Sequence, residues 1–369
     1  LVAILLADAA YLEEREAAYL TRKLGKQHKP LFTAQDGHAV MQQMNPRVYG
    51  QWFDVVPGLR VRFLDAGHII GSCVVELALE EKGVKRTLVF SGDLGQYGTP
   101  ILRDPETPER ADLVLMESTY GDRMHRDREA TIAELGEIIS RATDGNILLP
   151  AFAIGRSQEI LYQFARHFDE WGLGRFQIFL DSPMAIEATQ VYWRYKQLYD
   201  EDAISLREKN EQSALLPNLH LTRETEESMA INRIRSGAII IAGSGMCNGG
   251  RIVHHMRNNL PLESTQLIIP GYQARGSMGR RLVEGASRVR IHGKDVQVRA
   301  QIHTIGGLSA HADQRDLGRW YSGMQDSPPV MLVHGEEEPQ KALAAHLHER
   351  YGAQVDRAKP GQIVDLAGP

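Results

Sequence analysis

Between about residues 125 and 300 the sequence alternates between amphipathic helical patterns and short apolar runs. The clearest apolar runs cover residues 146–149, 176–180, 238–242 and 266–269. The helical pattern at residues 128–143, for example, places Leu135 and Ile139 on one face. Strands that are separated by helices pair in parallel through right-handed crossovers. This alternation therefore predicts an α/β unit with a doubly wound parallel sheet.

The residues on either side predict a second unit. Before the alternation, two helical patterns precede strand-like, β-branched runs at residues 60–66, 73–80, 86–90 and 111–117. After it come strand-like runs at 301–304, 330–333 and 362–366 and a helical pattern at 339–351. The βα unit is therefore interpreted as an insertion into a domain of stacked sheets. We place the outer domain at residues 1–122 and 301–369, and the inserted domain at 123–300.

Composition narrows the class of protein. A chain of 369 residues that is 43% hydrophobic and 24% charged is typical of a globular protein with two cores. No run approaches the ~18 consecutive apolar residues of a membrane span, so we expect no membrane partner. Cys73 and Cys247 lie far apart, and no secretory signal precedes them, which favours the reducing cytoplasm. The net charge of −5 excludes a globally basic nucleic-acid coat, so a polyanion would need a local basic patch.

Several potential metal ligands lie at or near the ends of strand-like runs, close to glycine or other small residues. These are His68, Asp93, His311 and His334. Taken singly, such a histidine or aspartate is more often a core side chain, a turn residue or a helix cap. Loops at strand ends gather into sites, however, and the coincidence favours one divided metal site.

Five motifs together resemble those of metallo-β-lactamase-fold nucleases with a β-CASP insertion. This family includes the nuclease subunit of the eukaryotic polyadenylation cleavage complex and its bacterial relatives. The motifs are Asp65-Ala66-Gly67-His68, Ser91-Gly92-Asp93, Met116-Glu117-Ser118-Thr119-Tyr120-Gly121, Ser309-Ala310-His311-Ala312-Asp313 and Val333-His334-Gly335. The resemblance covers essentially the whole chain and includes residues 152–159 and 243–251. It implies a metallo-β-lactamase αββα sandwich that carries an inserted β-CASP domain.

The resemblance also implies a phosphodiesterase with two Zn²⁺ ions, in which a metal-activated water attacks phosphorus. His68 would ligate one zinc ion, His334 the other, and Asp93 would bridge both and take part in catalysis. His311 would stand over the scissile phosphate, with Glu117 orienting its ring. Family members supply four more ligands from a His-x-His-x-Asp-His cluster, which this sequence does not contain.

We expect that cluster to lie upstream of Leu1 in the natural protein, so that the chain is N-terminally truncated and its sandwich incomplete. The truncated chain is expected to bind metal poorly and to be impaired in activity. The short stretch after His334 favours the compact, polyadenylation-factor-like bacterial ribonucleases.

The inserted domain offers candidates for binding RNA or phosphate at its strand-to-helix edge. The glycine-rich residues 243–250 join a strand to a helix, whose first N–H groups can cradle a phosphate. The candidates are Arg156, Ser244, Gly245, Gly249, Arg251 and Arg275. A dinucleotide-binding turn is the rival interpretation, but the glycine spacing departs from G-x-G-x-x-G. Tyr272 is the candidate for base stacking.

Single-stranded RNA is the expected substrate, because the resembling proteins of this form mostly cut RNA. The choice between endonuclease and 5′-exonuclease stays open, as do DNA as a substrate and a homodimer as the assembly. Two rival functions remain. One is a non-catalytic RNA-binding or scaffold paralogue. The other is a metallo-hydrolase of small esters, against which the long insertion and the motifs of Glu117 and His311 count.

Overall fold

The computed structural model describes residues 1–209 and 216–366. Its strands are β1 (Phe53–Val56), β2 (Leu59–Asp65), β3 (Cys73–Glu81), β4 (Val84–Phe90), β5 (Leu113–Met116), β6 (Ile147–Pro150), β7 (Gln177–Leu180), β8 (Leu219–Leu221), β9 (Ala238–Ala242), β10 (Gln266–Ile269), β11 (Arg288–Ile291), β12 (Lys294–Gln297), β13 (Gln301–Thr304), β14 (Val330–Leu332) and β15 (Val355–Arg357). Its α-helices are α1 (Val2–Leu24), α2 (Ala34–Gln43), α3 (Arg128–Arg141), α4 (Arg156–Arg166), α5 (Pro183–Arg194), α6 (Glu201–Lys209), α7 (Thr225–Ile231), α8 (Gly250–Asn259), α9 (Met278–Val283), α10 (Gln314–Ser322) and α11 (Glu337–Tyr351). Together they make the mixed α/β protein that the sequence predicts.

Local capping explains where several helices begin. Before α2, the Thr33 hydroxyl accepts the N–H of Asp36, and the Asp36 carboxylate accepts the N–H of Thr33 in return. Before α5, Ser182 accepts the N–H of Ala185, and Pro183 takes the first helical position, where its missing N–H costs nothing. These side chains satisfy N–H groups that the first turn of a helix leaves without a partner.

A seven-stranded sheet forms the outer domain, in the order β1-β2-β3-β4-β5-β14-β15. Strands β1 to β4 pair antiparallel, whereas β4, β5, β14 and β15 are parallel. The chain leaves this sheet after β5 and returns beside it at β14, as an insertion requires. Trp320 and Tyr321 of α10 and Leu343 of α11 pack with the sheet into one core. In the part of the chain that is described these strands form one sheet, whereas the sequence predicted stacked sheets.

The inserted unit contains a six-stranded parallel sheet in the order β13-β10-β6-β9-β7-β8. Its two faces bury separate cores. On β9, Ile239 and Ile241 belong to one core and Ile240 to the other. Because successive side chains of a strand point to opposite faces, both faces of the sheet are covered. The doubly wound parallel sheet is therefore confirmed.

Two details differ from the sequence expectations. Strand β13 pairs with β10 in the inserted sheet, so this sheet extends past residue 300, the predicted end of the inserted domain. The limits of the two domains stay predictions. Residues 362–366 do not form the predicted strand, and the last described strand is β15. Ile363 is 94% exposed, which shows that an apolar, β-branched run does not pair when it has no apolar surface to cover.

The topology gathers four loops at one edge of the seven-stranded sheet. Strands β2, β4, β5 and β14 all run in the same direction, so their carboxyl ends meet there. None of the helices in the described residues is long and apolar enough to cross a bilayer.

Candidate active site

The loops at this edge bring the predicted site residues together. His68 follows β2, Asp93 follows β4, Glu117 follows β5 and His334 follows β14, while His311 lies in the loop before α10. One ligand atom from each of His68, Asp93 and His311 lies within 4.8 Å of the others. A carboxylate oxygen of Asp93 also lies 3.4 Å from Nε2 of His334. The roles predicted for the individual residues stay predictions, but the convergence is present.

His68 has the character of a metal ligand. Its ring packs against that of His311, with centroids 4.3 Å apart, and its Nδ1 is buried with no hydrogen-bond partner among the described residues. Burial, together with the charge of His311, lowers the pKa of His68, so its imidazole stays neutral. A neutral imidazole and a carboxylate are the donors that zinc accepts. The orphaned nitrogen therefore fits a zinc ion at this position.

His311 and Glu117 form a buried pair. The Glu117 side chain is 1% exposed, and one of its oxygens accepts the N–H of Leu94 at 2.6 Å and Nδ1–H of His311 at 3.2 Å. Burial alone would raise the pKa of Glu117, but its hydrogen bond to His311 and the charge of that ring outweigh burial and lower it. Burial would likewise lower the pKa of His311, but Glu117 raises it. The pair therefore favours a charged imidazolium whose Nε2 is left for other contacts.

Close backbone packing holds the His68 loop in place. The N–H of Gly95 donates to the carbonyl of Ala66 at 2.8 Å, and a Cβ added at Gly95 would lie 2.0 Å from the carbonyl oxygen of Gly67. Gly67 itself has a φ of 65°, which favours glycine. Two glycines on adjacent loops thus allow the loops of His68 and Asp93 to touch.

The Gly95→Ala variant is therefore expected to push the His68 loop away from Asp93. We expect the Tm to fall by about 5 °C, because the clash is with backbone that cannot rotate aside. Thermal unfolding followed by circular dichroism measures this. Gly174→Ala is the matched control, since its Cβ would lie 3.7 Å from Phe168, an ordinary contact. An unchanged Tm in Gly95→Ala would show that the loops are not held by this approach.

The arginines predicted to bind phosphate differ in whether their guanidinium groups are already bonded to other protein groups. The guanidinium of Arg251 donates to Asp181 at 2.7 Å and to the carbonyls of Thr222 and Arg223. Arg156 is buried and contacts the carbonyl of Pro270 and the carboxylate of Glu159. Arg275 is exposed. Phosphate contacts from these residues stay predictions, and for Arg251 and Arg156 they would compete with bonds that hold the fold.

The glycine-rich loop joins β9 to α8, as the sequence predicts. The hydroxyl of Ser244 accepts the N–H of Gly249 at 3.3 Å, and Gly249 is the N-cap of α8 without a side chain to cap the helix. A Cβ at Gly245 would lie 3.0 Å from Phe152, so this loop packs closely on the neighbouring one. Its role as a phosphate cradle stays a prediction.

Sequence reasoning missed residues that support His311. Nε2 of His125 donates to the carbonyl of His311 at 3.0 Å, and the N–H of His125 donates to Asp313 at 3.0 Å. Asp313 also caps α10 by accepting the N–H of Asp316. An Asp followed three residues later by another Asp is a recognisable helix start, so this cap was open to prediction. The contact of His125 is not local in sequence and has no such signal.

Comparison with known proteins adds to this geometry. Residues 157–282 match the Beta-Casp domain, and residues 295–358 match the Zn-dependent metallo-hydrolase RNA specificity domain. The chain is 39% identical to ribonuclease TTHA0252 of Thermus thermophilus over 340 residues, which cover 92% of this chain and 76% of that protein. It is 27% identical to the RNase J-like protein of Methanocaldococcus jannaschii, over 89% of this chain and 74% of that protein.

A further relative is the transcription termination factor FttA of Pyrococcus horikoshii. It is 30% identical over 338 residues, which cover 88% of this chain and 51% of that protein. The chain thus spans about three quarters of the ribonuclease and about half of the termination factor.

Proposed function

This chain belongs to the β-CASP family of metallo-β-lactamase-fold RNA nucleases, and we propose that it is a zinc-dependent phosphodiesterase that hydrolyses single-stranded RNA. The observation that carries the proposal is the convergence of His68, Asp93 and His311 within 4.8 Å, where a buried nitrogen of His68 has no hydrogen-bond partner in the described part of the chain. RNA as the substrate is supported by the name of the ribonuclease relative and by the RNA specificity domain.

In this proposal His68, Asp93 and His334 would hold zinc. When bound, zinc lowers the pKa of a coordinated water and so supplies a hydroxide nucleophile at neutral pH. The side chain of Asp93 is 42% exposed, so it would be accessible to an incoming substrate as well as to a bound ion. His311 is held through Nδ1 by Glu117, which leaves its Nε2–H for the substrate, and it would give that proton to the leaving oxygen.

A small cavity and a larger cleft lie beside the His68 loop, and neither is lined by Asp93, His311 or His334. The cavity beside His68 has a volume of about 40 Å³ and adjoins a cleft of about 1260 Å³, with which it shares Thr99 and Arg128. Three arginines and seven carboxylates line the cleft, so its net charge is negative and it does not attract a polyanion. Single-stranded RNA as the substrate is therefore supported by the family resemblance and not by these hollows. We also propose a cytoplasmic location, which the free thiols of both cysteines support.

Cleavage assays on the full-length protein test this function. We expect end-labelled single-stranded RNA to be cut at least about 100-fold faster than the same RNA in a duplex, and chelation of zinc to stop the reaction. The lengths of the first products separate internal cleavage from 5′-end digestion. RNA binding without cleavage at any zinc concentration would overturn the proposal in favour of the scaffold function.

A further inference from the structure

We propose that Tyr272, positioned by Arg123, is the residue on which an unpaired base near the scissile phosphate stacks. This inference rests on the proposed function, because it assigns a subsite to the same nucleic-acid strand. The exposed ring of Tyr272 supplies the stacking surface, and Arg123 is a positioning residue behind it.

A row of side chains leads from the reaction centre to this ring. The rings of His311 and Tyr120 have centroids 6.0 Å apart. The guanidinium carbon of Arg123 lies 5.7 Å from the centroid of the Tyr120 ring and 5.7 Å from that of Tyr272. Tyr120 belongs to the outer domain and Tyr272 to a loop of the inserted unit, so Arg123 bridges the two. Tyr272 thus lies three successive side-chain contacts from His311, and in this proposal a base further along the strand bound at His311 stacks there.

Buried contacts fix the backbone that carries Arg123. The side chain of Gln314 donates to the carbonyl of Gly121 at 2.6 Å, and its backbone N–H donates to the carbonyl of Arg123 at 3.1 Å. Gly121 leaves no room for a Cβ, which would lie 2.5 Å from the carbonyl oxygen of Pro339. Asp122 accepts two hydrogen bonds from the guanidinium, at 2.7 and 2.8 Å. The planar cation is thus held in one orientation before any ligand arrives.

The loop of Tyr272 is anchored from its other side. Gln273 is buried, and its amide donates to the carbonyl of Gly245 at 2.9 Å. Arg156 donates to the carbonyl of Pro270. The ring of Tyr272 nevertheless stays 45% exposed. A large aromatic side chain held in a rigid loop but left open to solvent contributes little to the core, and it loses little entropy when a ligand covers it.

The chemistry of this pair suits nucleic acid. Every base has a π-face, so stacking on tyrosine tolerates sequence, and the guanidinium over the other face of the ring holds that ring in place. The separation of 5.7 Å between Arg123 and Tyr272 is less than the roughly 7 Å that two stacking contacts need. The base therefore stacks on the open face of Tyr272 and does not insert between the two side chains.

Kinetics of the full-length protein on RNA test the subsite. Tyr272→Ala is expected to raise KM by roughly 5- to 100-fold, with a much smaller change in kcat, because stacking binds the strand without taking part in bond cleavage. Tyr272→Phe should behave as wild type, since the hydroxyl is not used. The matched control is Tyr19→Ala, which removes another exposed tyrosine that lies beside a cation, Lys23, on α1.

Substrates with one abasic nucleotide, placed at each position near the cleavage site in turn, identify the stacked base. At one position the abasic substitution should raise the KM of wild type yet leave the KM of Tyr272→Ala unchanged. Additive effects at every position, or a wild-type KM for Tyr272→Ala, would overturn the subsite while cleavage itself persists. Failure of the proposed function is different, because wild type would then cut no RNA.

Discussion

The Asp93→Asn variant of the full-length protein is expected to lose nearly all cleavage of single-stranded RNA and part of its zinc. Asp93 has ligand atoms close to those of His68 and His311, and its oxygen lies 3.4 Å from Nε2 of His334. Asparagine keeps the shape of the side chain but removes the negative charge that offsets a divalent cation. Loss of several kcal/mol of transition-state stabilisation predicts a fall in kcat/KM of at least about 1000-fold.

The same substitution should hardly affect folding. Asp93 is 42% exposed, and an exposed carboxylate–histidine pair contributes at most about 1 kcal/mol. Zinc per chain, measured by mass spectrometry, and kcat/KM on labelled RNA are the two readouts. Asp54→Asn is the control, since Asp54 is 83% exposed and pairs with Arg60 at the surface, away from the site. Full zinc content together with activity within about ten-fold of wild type would show that Asp93 has no role at the metal.

The inserted sheet could be predicted because its signals are local. A strand buried on both faces reads as a continuous apolar run, and residues 238–242 and 266–269 are observed as β9 and β10 with the predicted limits. Edge strands carry weaker signals. Strands β1 and β15 are partly exposed and short, and their pairing depends on neighbours that are distant in sequence. The stacked arrangement predicted for the first strands was an inference about tertiary packing, which periodicity does not specify.

The site was predictable to the extent that its residues follow strands. His68, Asp93, Glu117 and His334 converge because four strands of the seven-stranded sheet end at one edge. Which atoms share a cation depends on loop geometry. The three groups that lie within 4.8 Å include His311, which the resemblance placed over the phosphate, whereas His334 lies 3.4 Å from Asp93 and its ring centroid lies 6.2 Å from that of His311.

Arginines were the least predictable part of the site. An arginine next to glycine gives the same sequence pattern whether its guanidinium binds a ligand or another part of the protein. Arg251 follows a glycine-rich turn as a phosphate ligand would, yet its donors meet Asp181 and two backbone carbonyls. Asp181 is fully buried, and its carboxylate also accepts hydrogen bonds from Ser228 and His255. Its buried negative charge is stabilised by the ion pair with Arg251. Partners of this kind come from separate helices and strands, and only the folded chain brings them together.

His311→Ala is expected to lower kcat by about 100- to 10 000-fold while zinc content stays near that of wild type. Nδ1 of His311 is bound to Glu117, so Nε2 is the ring nitrogen left for proton transfer. General acid–base catalysis by one positioned side chain typically raises the rate by about 100- to 10 000-fold. The Glu117 carboxylate keeps hydrogen bonds from the N–H groups of Leu94 and Thr119, which should preserve the fold.

Metal analysis of His311→Ala separates proton transfer from metal ligation, since both roles predict lost activity. Glu117→Gln provides the companion variant, because glutamine retains a hydrogen-bond acceptor for the ring but removes the charge that raises the pKa of His311. We expect it to lower kcat less than His311→Ala does, by about ten-fold, again with zinc retained. If His311→Ala loses zinc in proportion to its activity, His311 is a metal ligand, in keeping with its place within 4.8 Å of His68 and Asp93, and proton transfer must come from another group.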